Sequence, residues 1–217
     1  MDRGEQALTD QDLKHLTPDL VSHKGEKLVK SLLDEAEKVK PELDSSFKMA
    51  AMTAGLDPAK DFESRIKKDS TVVKKVALHR REGDGGYRVN DVNDLYGARF
   101  IVKNDKQKKE LIDGMHQLDE DNTIKIDKEQ EVKHGTYEAH HMDFNYKGVK
   151  GEVQLHTPAS LFESAANHDI RSVFGEKPPK PLQDVKDIHA KVAEKVSPKK
   201  AQDMAQALEL VRRIQSQ

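Results

Sequence analysis

The chain is 217 residues long, 35% of them charged and only 5% aromatic, and its 37 basic residues nearly balance 39 acidic ones for a formal net charge of −2. That balance excludes nucleic-acid binding by bulk charge and leaves only local basic clusters to meet phosphates, while the lack of any cysteine excludes disulfides and thiolate metal sites. No apolar run approaches the roughly 18 residues of a membrane span, and the acidic start MDRGEQALTDQD is not a signal peptide, so the expectation is a soluble protein acting in the cytoplasm without membrane contact.

Residues 22–40 read as an amphipathic helix, with Leu28, Val29, Leu32, Leu33, Ala36 and Val39 on one side and Pro41 as its stop. A second helix is expected over 42–54, carrying Leu43, Phe47, Ala50 and Ala51 and capped by Gly55. DFESRIK alternates weakly, and Ser70 or Thr71 can cap a helix through VVKKVALHRR. The loop EGDGG follows, then a short helix or turn at VNDVNDLYG and a buried strand at ARFIV. KQKKELIDGMHQL is helical. TIKID, TYEAHHMDFNYK and VKGEVQLHT read as three strands, the last two joined by a tight turn at Lys147-Gly148. Pro158 opens a helix through Leu161, Phe162, Ala165 and Ala166; GEKPPKP is a linker, and two helices, about 185–196 and 199–214, finish the chain. The pattern predicts an α+β protein with a mixed sheet. It divides into a helical segment over 1–55, a catalytic core over 56–175 and a second helical segment over 176–217.

Three clusters in the core can carry chemistry. Arg65, Lys67, Lys68, Lys74 and Lys75 suit a polyphosphate, because guanidinium and ammonium groups donate to phosphate oxygens; the plainer reading is a solvated charged face. In NDLYGARF, Asp94 stands at the mouth of a strand, a usual place for a magnesium ligand, although a helix-terminal Asp bonded to backbone amides has the same signature. In GVKGEVQLH, strand alternation puts Lys150, Glu152, Gln154 and His156 on one face, and in KHGTYEAHH it puts Tyr137, Ala139 and His141 together. A hairpin through Lys147-Gly148 brings Glu152 near the level of His140 and His141. Zinc fits poorly, since adjacent histidines on a strand point to opposite faces and a catalytic zinc needs three protein ligands. His168-Asp169 lacks the further His and Asp ligands of a metal-dependent phosphohydrolase.

In order, RIKKDSTVVKK, NDLYGARFIV, KHGTYEAHH and GEVQLHT resemble the RelA/SpoT-type synthetase domain of small alarmone synthetases, over about residues 62–168. The resemblance implies an α+β, nucleotidyltransferase-like core and a pyrophosphokinase that moves pyrophosphate from ATP to a ribose 3'-hydroxyl, with Mg²⁺ as cofactor. It assigns Arg65, Lys67, Thr71, Lys75 and Arg99 to ATP, with Arg65 and Arg99 holding the adenine. Asp94 becomes a magnesium ligand, and Glu152 a second ligand or the general base for the hydroxyl proton. Lys133, Tyr137, His141, Gln154 and His168 fall to the acceptor, with Tyr137 stacking on its base. The polar row of GVKGEVQLH then faces a nucleotide.

The sequence departs from the family pattern at several places. His156 replaces an Arg, Thr136 a Gly, and Asn167 an acidic residue. Leu161 stands where some relatives place a guanine-reading Asn, which leaves the acceptor open between GTP or GDP, adenosine nucleotides and the tRNA 3' end. The last two are acceptors of toxin members, whose partners include an antitoxin or immunity protein. A homo-oligomer is equally open. The contrasting class is a non-catalytic nucleotide-binding regulatory module, and the joint presence of Arg65, Asp94, Tyr137 and Glu152 speaks against it.

Overall fold

The computed structural model describes residues 8–134, 137–174, 178 and 180–215. Helices α1 (Asp10–Leu16) and α2 (His23–Thr53) precede the short α3 (Pro58–Asp61) and strand β1 (Phe62–Ile66). Then come α4 (Asp69–Arg81), a 3-10 turn at Val89–Asp91, β2 (Tyr96–Ile101) and α5 (Asp105–Glu120). Strands β3 (Lys125–His134), β4 (Tyr137–Tyr146) and β5 (Val149–His156) form a meander, and α6 (Pro158–Phe174), α7 (Lys180–Lys195) and α8 (Pro198–Gln215) follow. Gly135, Thr136 and most of GEKPPKP lie outside the described residues; Lys180 and Pro181 of that stretch already belong to α7.

The strand order is β1-β2-β5-β4-β3, with β2 and β5 parallel and the other neighbours antiparallel. This is the expected α+β architecture with a mixed sheet. Register fixes which side chains share a face: Ala98 lies beside Val153, and Gly97 beside Glu152. One face carries Tyr96, Ala98, Phe100, Met142, Phe144, Val153 and Leu155 and packs on α2, α4 and α5. Phe47 of α2 is the hub, with ring centroids 5.5 Å from Phe144, 5.9 Å from Tyr96 and 6.4 Å from Phe100. Gly151 must lack a side chain, because a Cβ there would sit 2.4 Å from the Phe144 ring. At the end of the other face, Ile101 packs with Leu161, Phe162 and Ala165 of α6, Ala193 of α7, and Ala201 and Ala205 of α8.

Two expectations need correction. The break at Pro41 does not occur, and α2 runs unbroken for 31 residues. Pro41 is exposed, while Ala36, Leu43 and Phe47 on either side are buried in one core, so packing outweighs the missing hydrogen bond. Neither Ser70 nor Thr71 caps α4: Lys68 holds the cap position without a side-chain bond, and Ser70 donates its amide to Asp69 Oδ1 at 2.6 Å. The Lys147-Gly148 turn is as expected, with φ of 51° and 87°, the mirror-image turn that glycine favours.

Candidate active site

The polar row of β5 opens onto the sheet face that α6 and α8 cover only at one end. In register with it stand Arg65 beside Gly97, Gly97 beside Glu152, and Asp143 directly across from Glu152. On one side of the row Asp94 accepts hydrogen bonds from Lys67 Nζ at 2.7 Å and Lys75 Nζ at 2.9 Å. Three separate elements meet there: the end of β1, the body of α4 and the segment entering β2. Burial works to raise the Asp94 carboxyl, but the charges and hydrogen bonds of Lys67 and Lys75 outweigh it and hold the group below its ordinary range. Burial lowers Lys67 despite the pull of Asp94. Lys75 also donates to Asn93 Oδ1 at 2.8 Å, and Asn93 Nδ2 donates to Asp143 Oδ2 at 2.7 Å. Asp143 is pushed up by burial and by the charge of Glu152, against the bond from Asn93.

On the other side a chain of hydrogen bonds runs along the strands. Tyr137 Oη and His141 Nε2 are 3.3 Å apart, and His141 Nδ1 donates to Glu152 Oε1 at 3.0 Å. Gln154 Nε2 donates to Glu152 Oε2 at 2.6 Å; His156 lies 3.0 Å from both Gln154 Oε1 and Ser160 Oγ. Tyr137 is buried, with the Arg171 guanidinium of α6 over its ring at 4.5 Å.

A cleft of about 190 Å³ is lined by Arg65, Asp94, Arg99, Glu152, Gln154 and His168, with Ser164 of α6 and Glu209 of α8 at its edge. Arg65 is exposed. Arg99 is engaged instead, donating from Nη2 to Glu63 Oε2 at 2.9 Å and lying 3.5 Å from Glu209.

Most of the expected site residues therefore come together, in and around one cleft. Lys67 and Lys75 stand behind Asp94; Tyr137 and His141 stand behind Glu152. Thr71 is in the exposed first turn of α4. Lys133 stands apart: its strand partner is Glu138, 3.4 Å away, on the face towards α5. His140 points to that same face and meets Glu129 at 2.6 Å, opposite to His141, as adjacent strand residues must. The side chain of Asp169 is outside the described set, and Asn167 is turned to His189 of α7 at 2.8 Å. Sequence reasoning missed Asn93, Asp143, Ser160, Arg171 and Glu209. Asp143 was legible, being in phase with Tyr137, Ala139 and His141, and Arg171 lies one helical turn from His168. Nothing local marks Glu209.

Residues 64–171 match the model of a family described as the region found in RelA / SpoT proteins. The chain carries a RelA/SpoT domain. Arg65 through His168, every candidate site residue, fall within it; Glu209 does not. Among solved structures, this RelA/SpoT-domain chain is similar in fold to a GTP pyrophosphokinase family protein from Streptococcus pneumoniae, at 19% identity and a TM-score of 0.58, covering 88% of this chain and 98% of that one. The small alarmone synthetase 1 from Bacillus subtilis gives 16% identity and a TM-score of 0.57, covering 90% and 100%. The same synthetase bound to its product pppGpp gives 15% and 0.56, with the same coverage. No curated protein matches the sequence. Among the described residues no helix is long and apolar enough to cross a membrane.

Proposed function

We propose that this RelA/SpoT-domain protein is an ATP-dependent pyrophosphokinase acting on the ribose 3'-hydroxyl of a nucleotide. The observation that carries the reading is the pairing across one cleft of Asp94, flanked by two lysines, with Glu152, fixed by His141 and Gln154. In the reaction the acceptor 3'-oxygen bonds to the β-phosphorus of ATP, the bond from that phosphorus to the α–β bridging oxygen breaks, AMP leaves, and the hydroxyl proton goes to a base. Lys67 and Lys75 suit the phosphates and Arg65 and Arg99 the adenine, since a guanidinium plane stacks without losing its charge. Glu152 takes the proton; both its oxygens are already oriented by neighbours.

The donor set fits Mg²⁺: two carboxylates, Asp94 and Glu152, line one cleft, and no group of three or more His, Asp or Glu among the described residues forms a cage of its own. Magnesium carried on phosphates needs no more than one or two carboxylates. When bound, it supplies charge neutralisation on the phosphate oxygens. Asp94 and Glu152 would hold it, and the lysines now on Asp94 would turn to phosphate.

For the acceptor, the buried Leu161 packs among apolar residues of β2, α6, α7 and α8 and offers no hydrogen bond to a base edge. That supports a loose choice of base, with adenosine nucleotides or the tRNA 3' end as acceptors beside GTP and GDP. The test is incubation with ATP labelled in its β-phosphate, Mg²⁺ and separate pools of GDP, GTP, ADP and deacylated tRNA. Transfer to at least one pool is expected; no transfer to any overturns the reading, and a strict guanosine preference overturns the looseness.

A further inference from the structure

His156 ends β5 beneath the cleft. It is only 1% exposed. Both ring nitrogens are engaged, with Gln154 Oε1 at 3.0 Å from Nε2 and Ser160 Oγ at 3.0 Å from Nδ1. The ring also packs edge-on against Tyr137, centroids 5.8 Å apart, and lies 6.4 Å from the ring of His141.

These contacts determine where the protons are. Gln154 turns its NH₂ group to Glu152 and donates from Nε2 to Oε2 at 2.6 Å. The amide oxygen of Gln154 then faces His156 and requires an N–H at Nε2. Burial, reinforced by the charges of His141, Arg99 and Arg171, pulls the imidazole down to about 3, so it is neutral and carries one proton. That proton is on Nε2, and the bare Nδ1 accepts the Ser160 hydroxyl. Were the ring proton on Nδ1, Gln154 would turn over and set its oxygen against the Glu152 carboxylate.

We propose that His156 is a positioning residue: as the Nε2–H tautomer it fixes the amide of Gln154, which in turn orients Glu152 towards the acceptor. The part concerning Glu152 as proton acceptor rests on the pyrophosphokinase reading; the hydrogen-bond order does not. A supporting partner of this kind is typically worth about 10- to 100-fold in activity.

The experiment has two arms on the full chain. Nitrogen-resolved NMR of the wild-type histidines at neutral pH should show His156 protonated at Nε2 and bare at Nδ1; a proton on Nδ1 overturns the proposal without any variant. In the second arm, H156Q places an amide nitrogen near the position of Nε2, whereas H156N places it near Nδ1. H156Q should keep kcat within about three-fold, and H156N should lose about 10- to 100-fold in kcat with the KM for ATP unchanged. Equal turnover in the two folded variants overturns the proposal. If H156N does not fold, H156Q decides, and a folded H156Q that loses turnover to the same degree overturns it. A wild type that transfers no pyrophosphate but shows the Nε2–H tautomer counts against the pyrophosphokinase reading and leaves the hydrogen-bond order standing.

Discussion

The two sides of the cleft are built on different principles. Around Asp94, charges from β1, α4 and the segment before β2 converge from far apart in sequence, and ion pairs hold them. Around Glu152, residues of a single hairpin hold one another through a chain of hydrogen bonds, with Ser160 following closely on α6. The first is a set of charges whose partners can be exchanged for phosphate; the second is a scaffold whose bonds are kept. Substitutions should therefore fail differently on the two sides.

The largest effects are expected at the carboxylates. Asp94→Ala and Glu152→Ala should each lower pyrophosphate transfer by at least about 100-fold. They should part in stability: Asp94→Ala strands two partly buried lysines and should cost about 1–3 kcal/mol in urea unfolding, while the partners of Glu152, His141 and Gln154, keep their further contacts to Tyr137 and His156, so its loss should cost less. Unchanged turnover in either variant, with an intact circular dichroism spectrum, would remove that residue from the site. Equal stability loss would erase the contrast between the two sides.

Next comes Tyr137. Its hydroxyl meets His141 at 3.3 Å, whereas its ring carries Arg171 at 4.5 Å. Tyr137→Phe should be nearly silent, and Tyr137→Ala should weaken acceptor binding by about 1–3 kcal/mol if a base stacks there in place of the guanidinium. Acceptor KM for both variants checks this, and equal losses would defeat the stacking role. On the opposite side, Arg65→Ala should raise the KM for ATP about tenfold, in line with the loss of one guanidinium–adenine stacking contact, and leave the acceptor KM within a factor of two. The reverse split would exchange the two subsites.

The smallest effect concerns pH. Asp94 titrates below its ordinary value of 3.8, so its ion pairs contribute fully above that pH and are lost as pH falls through the lower folded value. The stability gap between wild type and Asp94→Asn should thus be open at pH 7 and close below about pH 4. A gap that widens in acid would contradict the assignment.

Alternation made much of this legible. The phases of TYEAHHMDF and VKGEVQLH place Tyr137, His141 and Glu152 on one face, and one buried side of a sheet enforces such phases. Elsewhere tertiary forces overrode local signals. Pro41 reads as a stop but is carried through by the core on either side. β3 runs to His134, well past TIKID, because Glu129 and Glu131 of this edge strand find His116, His140 and Lys108; such a polar strand shows no period of its own. Glu209 reaches Arg99 from the far end of the chain, a meeting only the packing of α8 on α6 arranges.

The Lys147-Gly148 turn bears on the order in which the molecule assembles. Closing a short loop costs less entropy than closing a long one, and the β4–β5 hairpin closes through just these two residues. Its rungs can form while the chain around them is still unstructured. The parallel pairing of β2 with β5 has to wait until α5 and two intervening strands are gathered in. The Glu152 scaffold is thus a product of local zipping, whereas the cleft, which needs Asp94 brought beside β5, belongs to the late, long-range step. Slowing that step should delay the cleft without disturbing the hairpin.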